Sequence, residues 1–298
     1  MLRVGLVQHQ HRGSKKANLD YAAQQIAALS KDGVVLVVLQ ELQSEFYFCQ
    51  SEQSHHFDLA EDLQGSTVKT LSDLAKKYRV VIVSTIFEKR CSGIYHNTAV
   101  VLDQDGSLAG YYRKMHIPDD PGFYEKFYFT PGDALPDKQH GFAPITTSLG
   151  KLGVMVCWDQ WFPEAARLMA LAGAELLIFP TAIGWDRSDS QQEQLRQQQA
   201  WQLIQRSHAV ANNLPVISCN RVGYEPSSED HSCGIDFWGR SFITGPQGEI
   251  LAESTSNQEE NLMADLNLED TEKVRRSWPF LRDRRVDAYG NLVQRVID

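Results

Sequence analysis

The stretch Gly33-Val34-Val35-Leu36-Val37-Val38-Leu39-Gln40-Glu41-Leu42 decides the fold class. Val34 to Leu39 is apolar without a break and mostly β-branched, the composition of a strand covered on both faces. A carboxylate, Glu41, follows almost at once. Upstream, Lys16 to Ser30 places Leu19, Ala22, Ala23, Ile26, Ala27 and Leu29 at helical spacing, and Asp32-Gly33 ends that helix. Leu2 to Gln8 reads as a further buried strand. The N-terminal segment therefore spells a β-α-β unit.

The same grammar continues outward. Ser66 to Tyr78 predicts a helix capped by Ser66, with Val68, Leu71, Leu74 and Ala75 on its inner face, leading into a strand over Val80 to Phe87. Tyr95 to Leu102 and Leu108 to Arg113 form a hairpin across Asp103-Gln104-Asp105-Gly106. The second half repeats the order: strand Lys151 to Val156, helix Pro163 to Ala172, strand Glu175 to Pro180. A Gln-rich helix over about 191–211 follows, then the strand Pro215 to Asn220. Ser241 to Thr244 pairs with Glu249 to Ala252 around Gly245-Pro246-Gln247-Gly248, and Leu262 to Asn267 is the last strand. No linker interrupts the pattern, so residues 1–298 are expected to form one domain. Mixed βαβ units and hairpins imply an α/β fold of mixed sheets with helices outside, and the recurring order implies internal pseudo-symmetry.

Charge and composition narrow the function. Against 38 Asp plus Glu stand 29 Lys plus Arg, a formal net charge of −9 in 298 residues. Nucleic acid and anionic membranes both demand a positive patch, so neither is an expected partner. The densest apolar run, Val34 to Leu39, is six residues long, far short of the about 20 that a membrane span requires. Met1 to Gln8 carries Arg3 within its apolar stretch and lacks the plan of a signal peptide. The five cysteines are an odd number with no Cys-x-x-Cys pair. Reduced thiols and a cytoplasmic location are the expectation.

Chemistry concentrates where strands end. Glu41, Lys114 and Cys157 each fall just past an apolar strand, the place where open α/β sheets build sites. A nucleophilic thiol needs a base to remove its proton and a donor for the oxyanion formed on attack, and a Glu and a Lys supply both. Taken singly each has a plainer reading: Cys157 as a small buried apolar residue, Glu41 and Lys114 as solvated charges. For Cys157, the segment Trp158-Asp159-Gln160-Trp161-Phe162-Pro163-Glu164 leads into a helix with Pro at its start, and a nearby helix N-terminus favours the thiolate.

Three ordered segments carry a resemblance: Leu39-Gln40-Glu41-Leu42, Tyr112-Arg113-Lys114-Met115-His116-Ile117-Pro118 and Val156-Cys157-Trp158-Asp159-Gln160-Trp161-Phe162-Pro163-Glu164. With 73 residues from Glu41 to Lys114 and 43 more to Cys157, they resemble the signature segments of the nitrilase superfamily, the carbon-nitrogen hydrolases. Phe46 to Gln50, Pro118 to Phe129, Pro180 to Gly184 and Arg282 to Arg285 further resemble the branch that hydrolyses N-carbamoylputrescine. The resemblance implies a four-layer α-β-β-α sandwich and a thiol amidohydrolase. It assigns Cys157 as nucleophile, Glu41 as general base, Lys114 as oxyanion stabiliser and Glu125 as a second carboxylate, with the Trp158 backbone N–H completing the oxyanion site. No metal or organic cofactor is implied. Homo-oligomers are, with a C-terminal segment of about 268–298 in subunit contacts.

Substrate choice follows from the same comparison. Family members that cleave N-carbamoyl amino acids are expected to place an Arg just after the nucleophile, to grip a carboxylate. Asp159, Gln160 and Trp161 stand there instead. A small ureido or amide substrate with an amine tail is therefore expected, and Asp186 is the candidate to bind that tail. Where the polyamine branch carries Ser-Glu, this chain has Trp185-Asp186, and Asp186 equally fits the cap of a turn. The alternatives are N-carbamoyl-β-amino acids or ω-amides as substrates, and a catalytically silent scaffold. His55-His56 reads as surface, His116 as packing beside Lys114, and Gly150-Lys151-Leu152-Gly153 is too short for a phosphate loop. The cluster Arg275-Arg276, Arg282 and Arg284-Arg285 is expected to pair between subunits.

Overall fold

A computed structural model describes residues 1–134, 141–227 and 233–297. The first half runs β1 (Leu2–Gln8), α1 (Lys15–Lys31), β2 (Leu36–Leu39), α2 (Ser66–Tyr78), β3 (Val81–Cys91), β4 (Ile94–Leu102), β5 (Leu108–Arg113) and the one-turn α3 (Glu125–Tyr128). The second runs β6 (Ile145–Thr147), β7 (Gly150–Val154), α4 (Pro163–Leu171), β8 (Leu176–Thr181), β9 (Gly184–Asp186) and α5 (Gln191–Asn212). It ends with β10 (Val216–Asn220), β11 (Val222–Pro226), β12 (Gly234–Trp238), β13 (Phe242–Thr244), β14 (Ile250–Glu253), β15 (Glu260–Leu266) and α6 (Leu268–Ser277).

Two six-stranded sheets are ordered β15-β1-β2-β3-β4-β5 and β14-β13-β10-β8-β7-β6. In the first, β1, β2 and β3 are parallel and are flanked by antiparallel β15 on one side and the β4–β5 pair on the other. In the second, β7, β8 and β10 are parallel, flanked by antiparallel β6 and the β13–β14 pair. The two sheets are thus topological copies, and the pseudo-symmetry expected from the order of elements is present.

Side-chain alternation along the strands builds the layers. Leu36 and Val38 of β2 enter a cluster with Val154 and Ile178 of the opposing sheet, whereas Val37 and Leu39 meet Ile26 and Leu29 of α1 and Leu71 of α2. Full burial of each such Val or Leu stabilises by about 1.5–3 kcal/mol relative to exposure. Gly5 of β1 faces α1, and a Cβ there would stand 3.1 Å from Leu29 and Val34 side-chain carbons. Close helix-on-sheet packing accounts for the glycine. Ala165 and Met169 of α4 and Trp201 of α5 cover the outside of the second sheet, which completes the α-β-β-α order.

Some details differ from expectation. Ser66 is the first helical residue of α2 rather than its cap; Gly65 takes that position, and Glu61 Oε2 accepts the Thr67 N–H at 3.0 Å. A third sheet, β11-β12-β9, has no counterpart in the pattern reading, because its strands are short and mix polar with apolar residues. The C-terminal arginines find partners within the chain: Arg276 with Glu272, Arg282 with Asp283 and Arg285 with Asp287. All three pairs are exposed, with arginine side-chain exposures of 77%, 72% and 73%. Among the described residues no helix is long and apolar enough to cross a membrane.

Candidate active site

Glu41 lies two residues beyond β2, Lys114 directly after β5, and Cys157 three residues beyond β7. Although far apart in sequence, Glu41 and Lys114 are joined by a hydrogen bond from Lys114 Nζ to Glu41 Oε1 of 2.8 Å. Glu125, on the first turn of α3, accepts from the same ammonium through Oε2 at 2.6 Å. All three side chains are buried. Asn97 Nδ2 donates to Glu41 Oε1 at 2.7 Å, and the Tyr47 hydroxyl donates to Glu125 Oε1 at 2.8 Å. Glu41 Oε2 is buried with no hydrogen-bond partner among the described residues. A buried carboxylate oxygen left bare is costly, and it is a ready acceptor for a proton.

Electrostatics assign charge states. Burial alone would drive the Lys114 pKa down, yet the carboxylates of Glu125 and Glu41 outweigh it and hold the ammonium well above its ordinary value. Lys114 is a permanent cation. Glu125 goes the other way: burial, with the neighbouring Glu41 charge, outweighs Lys114 and pushes it up from 4.5 to about 7. One ammonium shared between two buried carboxylates leaves Glu125 close to titration at neutral pH.

Cys157 sits in a left-handed conformation, φ +42°, which costs a non-glycine residue on the order of 1–3 kcal/mol and is characteristic of functional turns. Asp159 fixes this turn. Its Oδ2 accepts from Val156 N at 3.0 Å and the Tyr112 hydroxyl at 2.9 Å, and its Oδ1 accepts from His116 N at 3.0 Å. The Cys157 turn and the segment after Lys114 are thereby tied together. His116 stacks on Phe162 with ring centroids 3.7 Å apart, a packing role as expected. The expected thiolate is not supported. Burial, then the Glu41 carboxylate, raise the Cys157 thiol well above its ordinary pKa, and Lys114 only partly opposes them. A 3-10 turn, Cys157–Trp161, stands between the thiol and the start of α4 at Pro163, so Cys157 lies outside the first turn of α4, where the dipole's effect is concentrated. The Trp158 N–H lies in the first turn of that segment, ahead of its first internal bond from Asp159 N to Val156 O at 3.1 Å.

A cavity of about 470 Å³ is lined by Cys157 and Glu125 together with Trp158, Trp161 and Trp238, a volume suited to a small ligand. Asp120, Asp186, Asp189 and Glu193 also line it, against one cation, Arg196, which pairs with Glu193. Asp186 reaches the cavity and also caps a turn: its Oδ1 accepts from Ser188 N and Oγ, each at 2.7 Å. These bonds hold its carboxyl below the usual range, so it is anionic at neutral pH. Asp159 and Gln160 are buried away from the cavity and are not specificity positions; of the three residues weighed there, Trp161 alone lines it. Trp185 turns to α5, donating its Nε1–H to Gln194 O at 2.9 Å, and is not among the residues that line the cavity.

Tyr47, Asn97, Asp159, Arg221 and Glu225 escaped the sequence reading. Tyr47 and Asp159 stand within the segments that carry the resemblance without a structural role being read from them, and Asn97, Arg221 and Glu225 lie in no motif. His56 is buried against the Tyr128 hydroxyl, 3.1 Å from Nδ1. No metal-holding cluster of His, Cys, Asp or Glu occurs among the described residues.

Fold and site define an amide hydrolase built as a four-layer sandwich. Residues 3–276 match the carbon-nitrogen hydrolase family model, and the chain belongs to that family. A carbon-nitrogen hydrolase from Helicobacter pylori G27 superposes with a TM-score of 0.94 at 54% identity, over 99% of each chain. An N-carbamoylputrescine amidase from Oryza sativa subsp. japonica is 40% identical over 292 residues, 97% of this chain and 94% of its own. A citrullinase from Francisella tularensis subsp. tularensis is 38% identical over 295 residues, 99% of both.

Proposed function

We propose that the enzyme hydrolyses N-carbamoylputrescine to putrescine, carbon dioxide and ammonia through a thioester on Cys157, as a step of polyamine formation. The observation that carries this reading is the cavity that joins Cys157 and Glu125 to a wall of carboxylates, Asp120, Asp186, Asp189 and Glu193. A neutral ureido end belongs beside the thiol, and a cationic amine belongs against that wall. Trp158, Trp161 and Trp238 supply apolar surface for the carbon chain between them.

Glu41 takes the Cys157 proton through its bare oxygen as sulfur attacks the ureido carbon. The carbonyl electron pair moves onto oxygen, where the Lys114 ammonium and the Trp158 N–H receive it. Collapse breaks the bond to the substituted nitrogen. Glu41 returns its proton to that nitrogen, and putrescine leaves. The carbamoyl thioester remaining is cleaved by a water that Glu41 deprotonates, with Glu125 orienting Lys114. Carbamic acid departs, the thiol is restored, and the acid breaks down to carbon dioxide and ammonia.

A second reading, hydrolysis of ureido amino acids, rests on Arg196, which supplies within the cavity a cation for a carboxylate tail. Ammonia release from N-carbamoylputrescine, L-citrulline, N-carbamoyl-β-alanine and simple amides separates the readings, ω-amides included. Highest kcat/KM is expected on N-carbamoylputrescine; preference for an acid-tailed substrate overturns it. Cys157→Ala is expected to abolish turnover, and full activity in that variant ends the thioester route. Alkylation of Cys157 no faster than that of Cys49 or Cys219 would favour a silent scaffold.

Residues 1–298 acting as one domain, and a homo-oligomer, belong to the same proposal. Val286, Leu292, Val293 and Ile297 are exposed apolar residues in the C-terminal segment, which suits a subunit contact. Free thiols at Cys49, Cys91, Cys157 and Cys219 suit a reducing compartment such as the cytoplasm.

A further inference from the structure

The segment from Glu41 to Tyr47 belongs to no strand or helix, although it begins with the proposed base and ends with the tyrosine that holds Glu125. Leu42 within it has φ +48°. Carbonyls in such a segment lack ladder partners and must be satisfied otherwise. One side chain does this. Arg221, at the junction of β10 and β11, donates through Nη2 to the carbonyl oxygens of Glu41 at 3.1 Å, Leu42 at 2.8 Å and Glu45 at 3.1 Å. Its Nη1 meets Glu225 Oε1 at 2.5 Å, with side-chain exposures of 1% and 7%. The other oxygen of Glu225 accepts the Tyr47 N–H at 2.7 Å. A single buried ion pair thus grips both ends of the segment.

Burying such a pair is expensive in desolvation, and apolar residues would often stabilise a fold as well. Its distinctive product here is geometry. Arg221 sets the backbone of Glu41, and Glu225 sets the backbone of Tyr47, whose hydroxyl holds Glu125 at 2.8 Å. Both carboxylates around Lys114 trace back to one guanidinium–carboxylate contact. We infer that Arg221 and Glu225 are positioning residues that fix the Glu41–Lys114–Glu125 spacing for proton transfer. The inference rests on the roles given to Glu41 and Glu125 under the proposed function.

The test uses the full-length chain with Arg221→Lys and the near-isosteric Glu225→Gln. Lysine keeps the charge but has one nitrogen where Arg221 uses two, so it cannot serve the carbonyls as Nη2 does and Glu225 as Nη1 does at once; glutamine keeps an acceptor but loses the ion pair. Active sites are titrated by alkylating Cys157 with iodoacetamide, located by peptide mass spectrometry, and kcat is expressed per titrated site. Expected are a fall in kcat of at least about 10-fold in each, KM within about threefold, and a slower, pH-shifted alkylation of Cys157. A merely structural pair would lower the melting temperature and the number of titrated sites while leaving kcat per site and the pH profile of alkylation unchanged. That outcome overturns the inference. If Arg221→Lys does not fold, Glu225→Gln decides alone. Should the wild type release ammonia from none of the substrates, the functional reading fails, while the alkylation arm still reports on the positioning role.

Discussion

Glu125→Gln tests the division of labour between the two buried carboxylates. The substitution keeps size and an acceptor oxygen but removes the charge that meets Lys114 at 2.6 Å. Lys114 then has one carboxylate, Glu41 at 2.8 Å, and it turns toward the base that it must leave free. A hydrogen bond to a charged group contributes about 1.5–3 kcal/mol. If that amount is lost only from the oxyanion-bearing state, kcat falls roughly 10- to 150-fold, with a smaller effect on KM. The pH dependence gives a sharper mark. Because burial and the Glu41 charge push Glu125 up to about 7, ionised Glu125 forms as pH rises through neutrality, and the wild-type rate is expected to climb over that range. Ammonia release between pH 5.5 and 9 on both proteins is the assay. The variant should lack the climb near 7. A variant that keeps it, or retains kcat within about twofold, refutes the role given to Glu125.

Stability should carry the same signature with the opposite sense. The folded-state pKa of Glu125 is raised, from 4.5 to about 7, so its contribution is fully present below the unfolded value and is lost as pH climbs to the folded one. Wild-type melting temperature should fall relative to Glu125→Gln between pH 5 and 7.5; parallel curves would contradict the assignment. Asp186→Asn is expected to raise KM for N-carbamoylputrescine by up to about fivefold, since an exposed pair contributes about 0.2–1 kcal/mol, and to leave a neutral amide unaffected. Equal effects on both substrates would remove Asp186 from tail recognition. Gly5→Val forces carbon against Leu29 and Val34, already 3.1 Å from a bare Cβ. Overpacking of this kind costs about 1–3 kcal/mol, read as a lower urea midpoint at unchanged slope.

Those parts of the molecule governed by local pattern were legible from the chain alone. Leu36 to Leu39, the second part of the run from Val34, form a strand because the run is apolar on both faces, and the candidate site residues beyond β2, β5 and β7 were visible as charges or a thiol breaking an apolar stretch. Glu125 lacked that contrast; only resemblance marked it, since α3 is one turn long and its neighbours are aromatic. Arg221 and Glu225 were invisible for a different reason. Their function depends on backbone carbonyls some 180 residues away, at |i−j| of 180, 179 and 176, which no window on the sequence contains. The thiol's protonation state was misjudged because burial and a neighbouring carboxylate outweigh a helix terminus that local sequence placed too near.

Duplication of the sheet explains why these long-range contacts meet where they do. β2 and β8 are equivalent middle strands of the two parallel triads, and their ends touch: Glu41 N donates to Thr181 O at 3.3 Å. The same carbonyl accepts from Arg221 N at 3.2 Å, and the next residue, Ala182, offers its carbonyl to Cys157 Sγ at 4.0 Å. One sheet and its loops therefore supply Glu41, Lys114, Asp120 and Glu125, while the other supplies Cys157, Arg221, Asp186, Asp189 and Glu193. Neither half holds the proposed base and the proposed nucleophile together. The reacting geometry exists only when the apolar interior between the sheets is packed in register, so a core defect at Val38 or Ile178 should disturb chemistry as well as stability, in a way that a defect under α1 at Val37 should not.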